Sequence, residues 1–222
     1  MNRFNIAIDG PAGAGKSTIA KMVARRLGFI YIDTGAMYRA VALKMLNQQV
    51  NLEDMAQVDA VLIDTDIDLD YDREGNQQVY LDGCDVSLDI RTPEVTGRVS
   101  TVAAISSVRV ALVELQRKMA ARGGVVMDGR DIGTCVLPDA HYKFFLTASV
   151  EERARRRFIE MQQKGFEVDY QNLVADIQKR DADDSTREMA PLKQASDAIL
   201  IDSTSMTIAQ VADTILDHCS RG

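Results

Sequence analysis

Two hydrophobic periodicities alternate along the chain. Residues 4–8 (Phe-Asn-Ile-Ala-Ile) form a short, mostly apolar run ending at Asp9, and after a glycine-rich stretch residues 17–27 carry apolar side chains at helical spacing. Gly28 follows directly, where a helix ends most easily. Residues 29–32 (Phe-Ile-Tyr-Ile) predict a second buried strand and residues 37–46 a second amphipathic helix. The strand signature returns at 125–127, 143–146 and 198–201, each bordered by helical pattern. Near the end, Thr207 and Gln210 are spaced as a capping box for a helix with Ile208, Val211, Ala212, Ile215 and Leu216 on one face. Strands and helices alternating through short connections predict a doubly wound α/β fold, a parallel sheet covered by helices.

The rhythm changes between residues 63 and 92. Ile67, Leu69 and Tyr71 alternate with aspartates, residues 72–76 (Asp-Arg-Glu-Gly-Asn) read as a turn, and Val79 and Leu81 alternate again. Asp82-Gly83 is a two-residue hairpin signal, after which Val86, Leu88 and Ile90 alternate once more. This pattern predicts a small three-stranded antiparallel β insertion with one apolar face. Such a unit is too small to stand alone, so the expectation is one domain over residues 1–222 that carries the insertion. Residues 92–122 return to helical spacing. Residues 150–190, rich in arginine and interrupted by Gly165, predict a helical lid.

With 46% apolar and 27% charged residues in 222, the composition is that of an ordinary globular chain. The formal net charge of −7 is unevenly placed: residues 51–90 hold twelve acids and one base, a local −11 that leaves the rest at +4. A general nucleic-acid coat, which needs a basic domain, is excluded, but local anion sites are not. No apolar run approaches the ~18 residues of a membrane span, and the first strand lacks a cleavable small-residue site, so a soluble, unprocessed protein with no membrane partner is expected; a cytoplasmic location and a monomeric state are the accompanying expectations. Cys84, Cys135 and Cys219 are odd in number and scattered, which predicts free thiols in a reducing compartment. His141 and His218 are too isolated to build a triad.

Chemistry enters at Gly10, Pro11, Ala12, Gly13, Ala14, Gly15, Lys16 and Ser17, followed by Thr18, a match to the phosphate-binding loop pattern G-x-x-x-x-G-K-[ST] placed between a predicted strand and helix. Its glycines let backbone N–H groups converge on phosphate oxygens and the following helix presents its positive end. Lys16 is suited to the β and γ phosphates and Ser17 to Mg²⁺, so a nucleoside triphosphate and Mg²⁺ are expected here. Asp128, at the end of its strand, has two readings: Mg²⁺ binding through water, or a structural hydrogen bond to the loop. GTPase switches also need Asn-Lys-x-Asp, which is absent, and the D-x-x-G letters at 72–75 fall in the insertion's turn. Motor and transporter ATPases need a far longer chain. Arg39, Arg109, Arg130, Arg180 and Arg187 are isolated, whereas Arg153, Arg155, Arg156 and Arg157 crowd together after the strand ending near Thr147. Guanidinium forks bind phosphate bidentately and stay charged, which points to a phosphotransferase with an anionic acceptor.

Residues 33–39 (Asp-Thr-Gly-Ala-Met-Tyr-Arg), 129–134 (Gly-Arg-Asp-Ile-Gly-Thr) and 180–187 (Arg-Asp-Ala-Asp-Asp-Ser-Thr-Arg), in this order behind the phosphate loop, resemble the bacterial cytidylate kinases, of the P-loop nucleoside monophosphate kinase type, over essentially the whole chain. The resemblance implies transfer of the γ-phosphoryl group of ATP to CMP and dCMP, with the insertion enlarging the monophosphate region. It assigns Asp131, Arg109 and Ser100 to the cytosine and Asp184 and Arg180 to the ribose. Arg39, Arg130 and Arg187 fall to the acceptor phosphate, with Thr34 and Tyr38 lining the site and Arg153 and Arg157 on the lid side. A carboxylate facing cytosine's exocyclic amine would reject uracil, whose carbonyl would leave that carboxylate without a donor. Lys16, Arg130 and Arg187 are the expected catalytic groups. No general base is required, since the attacking phosphate oxygen is already ionised. The competing readings are a kinase for another nucleoside monophosphate or small metabolite, and a nucleotide sensor that transfers no phosphate.

Overall fold

The computed structural model describes residues 4–163 and 165–221, so residues 1–3, 164 and 222 of the expected domain and lid ranges lie outside the described residues. The chain divides into two units, one formed by the segments up to Tyr31 and from Arg122 onward, the other by Ile32–Ala121.

The first unit holds a five-stranded parallel sheet in the order β2-β6-β1-β7-β8, made of β1 (Ile6–Asp9), β2 (Ile30–Asp33), β6 (Val125–Gly129), β7 (Tyr142–Thr147) and β8 (Ile199–Asp202). β2 begins in this unit and its last two residues open the other. Ile8 stands opposite Asp128 on β6 and Phe144 on β7, and Leu146 opposite Ile201 on β8. The continuous apolar runs of β1 and β6 reflect burial on both faces, whereas the edge strand β8, expected to be buried, leaves Leu200 56% exposed. Ile6, Ile8, Val126, Phe144, Leu146 and Ile201 join one core with Ile19 and Val23 of α1 (Lys16–Leu27) and Val211 and Ile215 of α8 (Ile208–Arg221). Gly28, at φ +66°, caps α1 with its N–H on the carbonyls of Ala24 and Arg25. The expected capping box of α8 is present, since the Thr207 N–H donates to Gln210 Oε1 at 2.8 Å and the Gln210 N–H to Thr207 Oγ1 at 3.3 Å. Two helices, α6 (Val150–Gln163) and α7 (Tyr170–Thr186), occupy the stretch read as a lid.

The second unit comprises α2 (Thr34–Asn47), α3 (Met55–Ile63), β3 (Ile67–Tyr71), β4 (Gln77–Leu81), β5 (Cys84–Asp85), α4 (Pro93–Ala104) and α5 (Ser106–Ala120). Its three-stranded antiparallel sheet is the predicted insertion, and Asp82 (φ +52°) and Gly83 (φ +79°) make the predicted tight turn. The third strand is shorter than its alternation suggested. Asp85 Oδ1 accepts from both the N–H and the hydroxyl of Ser87, which turns the chain, and Val86 and Ile90 become buried four residues apart while Leu88 is 84% exposed. The helical stretch after Thr92 is two helices, α4 and α5, bent 95° apart around Ile105. Among the described residues no single helix is long and apolar enough to cross a membrane.

Candidate active site

In a parallel sheet, ligands gather beyond the carboxyl ends of the strands, and in the first unit those ends are where the chemistry-bearing loops begin. β1 runs directly into the phosphate loop. Gly10, at φ +147°, lies so close to β7 that an added Cβ would stand 1.9 Å from the Leu146 carbonyl oxygen, so no side chain fits. Gly15 precedes α1 in the left-handed conformation, and no side chain caps the helix, which leaves its first N–H groups available to an anion. Lys16 is buried and donates to the Pro11 carbonyl at 2.8 Å. Burial, then the charge of Arg130 and to a lesser degree of Arg180, lowers its pKa to about 7, against the opposing pull of Asp128 and Asp9.

Asp128, near the end of β6, accepts from Ser17 Oγ at 3.0 Å on one oxygen and from the Tyr31 hydroxyl at 2.8 Å on the other. The loop after β6 then presents Arg130, half-buried, and Asp131, buried. Arg130 Nε donates to Asp184 Oδ2 at 2.8 Å, and Arg187 Nη2 lies 3.4 Å from Asp131 Oδ1. The expected base, ribose and phosphate residues of this unit are therefore brought together as two acid–arginine pairs between α7 with its C-terminal residue and the loop after β6. Arg180, half-buried on α7, acts electrostatically on Lys16. Asp9 was not singled out in the sequence. Its buried carboxylate accepts from the N–H groups of Ile132 and Gly133, both at 2.7 Å. Burial raises its pKa to about 6 in spite of those two hydrogen bonds.

Arg153, expected on the lid side, is buried beneath the phosphate loop. It donates to the Ala148 carbonyl at 3.0 Å, to the Ala12 carbonyl at 2.8 Å and to Asp181 Oδ2 at 2.6 Å. Arg156 donates to the Ser203 carbonyl at 2.7 Å and reaches the Ala14 carbonyl at 3.5 Å. Arg157 is half-buried on the same helix. Glu152 holds Arg155 and Arg156, and those bonds, that of Arg155 foremost, bring its carboxyl down to about 2.

In the second unit, Asp33 caps α2 by accepting from the Ala36 N–H at 2.9 Å, and its other oxygen takes Arg39 Nη2 at 3.0 Å. The Asp33 N–H donates to Gln77 Oε1 of β4 at 2.9 Å. Arg39 Nε is buried without a hydrogen-bond partner among the described residues, a donor suited to an anion. Thr34 and Tyr38 are buried on the same helix, and the Arg109 guanidinium lies 5.8 Å from the centre of the Tyr38 ring. Arg109, 2% exposed, also reaches the Ala103 carbonyl at 3.5 Å, and Ser100 is half-buried on α4. Thr34, Tyr38, Arg39, Ser100 and Arg109 thus belong to this unit, and the phosphate loop, Arg130, Asp131, Arg180, Asp184 and Arg187 to the other.

A solved structure of an uncharacterized protein from Eubacterium ventriosum, only 14% identical, shares the fold at a TM-score of 0.53 over all of both chains. Cytidylate kinase of Caldicellulosiruptor saccharolyticus is 54% identical over 98% of this chain and 96% of its own. That of Desulforamulus reducens is 56% identical over 98% and 97%, and that of Bacillus subtilis 52% over 97% and 96%. The family model described as cytidylate kinase matches residues 6–221, from the first strand through the last helix, and the chain belongs to that family.

Proposed function

We propose that this protein transfers the γ-phosphoryl group of ATP to CMP and dCMP, giving ADP with CDP or dCDP. The observation that carries the reading is the pairing of Arg130 with Asp184 and of Arg187 with Asp131 in the unit that bears the phosphate loop. Each guanidinium is oriented by a carboxylate, and that of Arg187 also by the Ala190 carbonyl, to which its Nε donates at 2.6 Å; planar forks held in this way suit phosphate oxygens. A sensor that only binds nucleotide would not need these pre-set forks.

Asp131, Arg109 and Ser100 read the cytosine, Asp184 and Arg180 the ribose, and Arg39, Arg130 and Arg187 the acceptor phosphate beside Thr34 and Tyr38. The acceptor needs no general base. Catalysis consists of alignment and of cationic donors facing the transferring group, Lys16 foremost, in an in-line displacement. Ser17 and Asp128 offer a hydroxyl and a carboxylate already hydrogen-bonded at 3.0 Å, a hard-oxygen pair that suits Mg²⁺. A Mg²⁺ ion held by them would supply positive charge to the phosphates of the donor. α6 and α7 form a lid that excludes water, the β insertion belongs to the monophosphate region, and the protein works as a cytoplasmic monomer.

An assay of ADP formation over CMP, dCMP, UMP, AMP and GMP tests the reading. CMP and dCMP should be turned over fastest; equal or greater turnover of AMP sinks it, and ATP binding without ADP formation favours the sensor.

A further inference from the structure

We infer that Asp9 is a positioning residue for base selectivity, holding the backbone that carries Asp131 through paired hydrogen bonds to Ile132 and Gly133. The inference rests on the proposal that Asp131 reads cytosine. Asp9 ends β1 at 4% exposure, on the face that Ala7 shares, where an apolar side chain would pack without the cost of burying a carboxylate. What the carboxylate supplies instead is two acceptors side by side, each with its own N–H at 2.7 Å. Among side chains of this size only aspartate does this, because asparagine offers one acceptor and one donor.

The held segment is tightly wound. The Asp131 carbonyl accepts from the N–H groups of Cys135 at 2.8 Å and Val136 at 3.2 Å, so the turn that follows Asp131 is closed on one side by its own backbone and on the other by Asp9. Gly133 lies directly against the carboxylate: a Cβ there would stand 3.4 Å from Asp9 Oδ2, an ordinary contact, and 3.2 Å from Lys143 Cδ. Discrimination by a buried carboxylate depends on its staying where a wrong base leaves it unpaired. A loop free to shift would let Asp131 turn away from uracil's carbonyl at little cost.

The test is Asp9→Asn, which keeps one acceptor and sets an amide donor against the other N–H. kcat/KM would be measured for CMP and UMP, with KM for ATP and the melting temperature alongside. The CMP-to-UMP ratio should fall at least about fivefold, the lower bound for a disturbed buried polar contact, while KM for ATP stays within about twofold. An unchanged ratio in the folded variant overturns the inference, as does a uniform loss on both substrates. Asp131→Ala separates the two levels. If it leaves the ratio intact, the cytosine reading itself falls; if it collapses the ratio and Asp9→Asn does not, only the role of Asp9 falls. Should Asp9→Asn fail to melt cooperatively, Asp9→Ser, which removes the buried charge and one of the two acceptors, decides: a reduced ratio supports the inference and a wild-type ratio overturns it.

Discussion

Ser17 Oγ donates to Asp128 Oδ2 at 3.0 Å, tying the first turn of α1 to the end of β6 across 111 residues of sequence. The Tyr31 hydroxyl occupies the carboxylate's other oxygen, so its rotamer is fixed from both sides. Asp128→Asn retains an acceptor for one of these bonds but removes the charge that a divalent cation needs. The Mg²⁺ concentration for half-maximal activity should rise about tenfold or more, and Mn²⁺ affinity measured by electron paramagnetic resonance with ADP present should fall in parallel, with an unchanged melting temperature. Equal metal affinity in the variant would make the bond purely structural.

Lys16 is prepared for an anion by being uncomfortable without one. Its folded pKa lies at about 7, below the ordinary 10.5, so this group's contribution to stability is complete above about 10.5 and is lost as pH falls through about 7. A bound triphosphate favours the ammonium form. ATP binding near pH 8 should therefore take up a proton, seen in calorimetry as a binding enthalpy that varies with the ionisation enthalpy of the buffer. Lys16→Met should abolish that dependence and cut turnover by about a hundredfold or more, with much less effect on KM for CMP.

Gly35→Ala sets helix propensity against geometry. Alanine is worth up to about 1 kcal/mol over glycine inside a helix. At this position, however, a Cβ would stand 3.1 Å from Asp33 Oδ1 and 3.2 Å from Arg39 Nη1. The variant should melt no lower than the parent while KM for CMP rises several-fold, because the pair that aims Arg39 is pushed apart. A parental KM would show that the arginine is not aimed by Asp33.

Replacing Arg153 by alanine leaves Asp181 without its cation and the Ala12 and Ala148 carbonyls without a donor. Breaking a largely buried pair in this way costs about 3 kcal/mol or more, and denaturant titration should register it. Arg153→Lys keeps the charge but not the fork, and should recover part of the stability while KM for ATP stays raised.

The five parallel strands, the phosphate loop, the Asp82-Gly83 turn and the Thr207 capping box were legible because each is written in nearby residues. α3 was missed although Asp54 and Gln57 carry a cap signal, and Asp54 does accept from the Gln57 N–H at 3.2 Å. The surrounding acids Glu53, Asp54, Asp59 and Asp64 mask the helical spacing of its apolar residues. The bend at Ile105 carries neither glycine nor proline and so left no mark. Asp9 and Tyr31, and the contact of the lid-side Arg153 with the phosphate loop, left no mark for another reason. Their partners Gly133, Asp128 and Ala12 lie 124, 97 and 141 residues away, and only the parallel crossovers of the sheet bring them together.

The closeness of Gly10 to the Leu146 carbonyl sets a limit on redesign. The donor loop has no slack at its first residue, since any side chain would have to displace the backbone of a central strand. A mutational library aimed at new acceptors should leave positions 10 and 146 untouched and place its diversity on solvent-facing residues of the insertion such as Asp68 and Asp70. Variants recovered from such a library should keep the parent's grip on ATP.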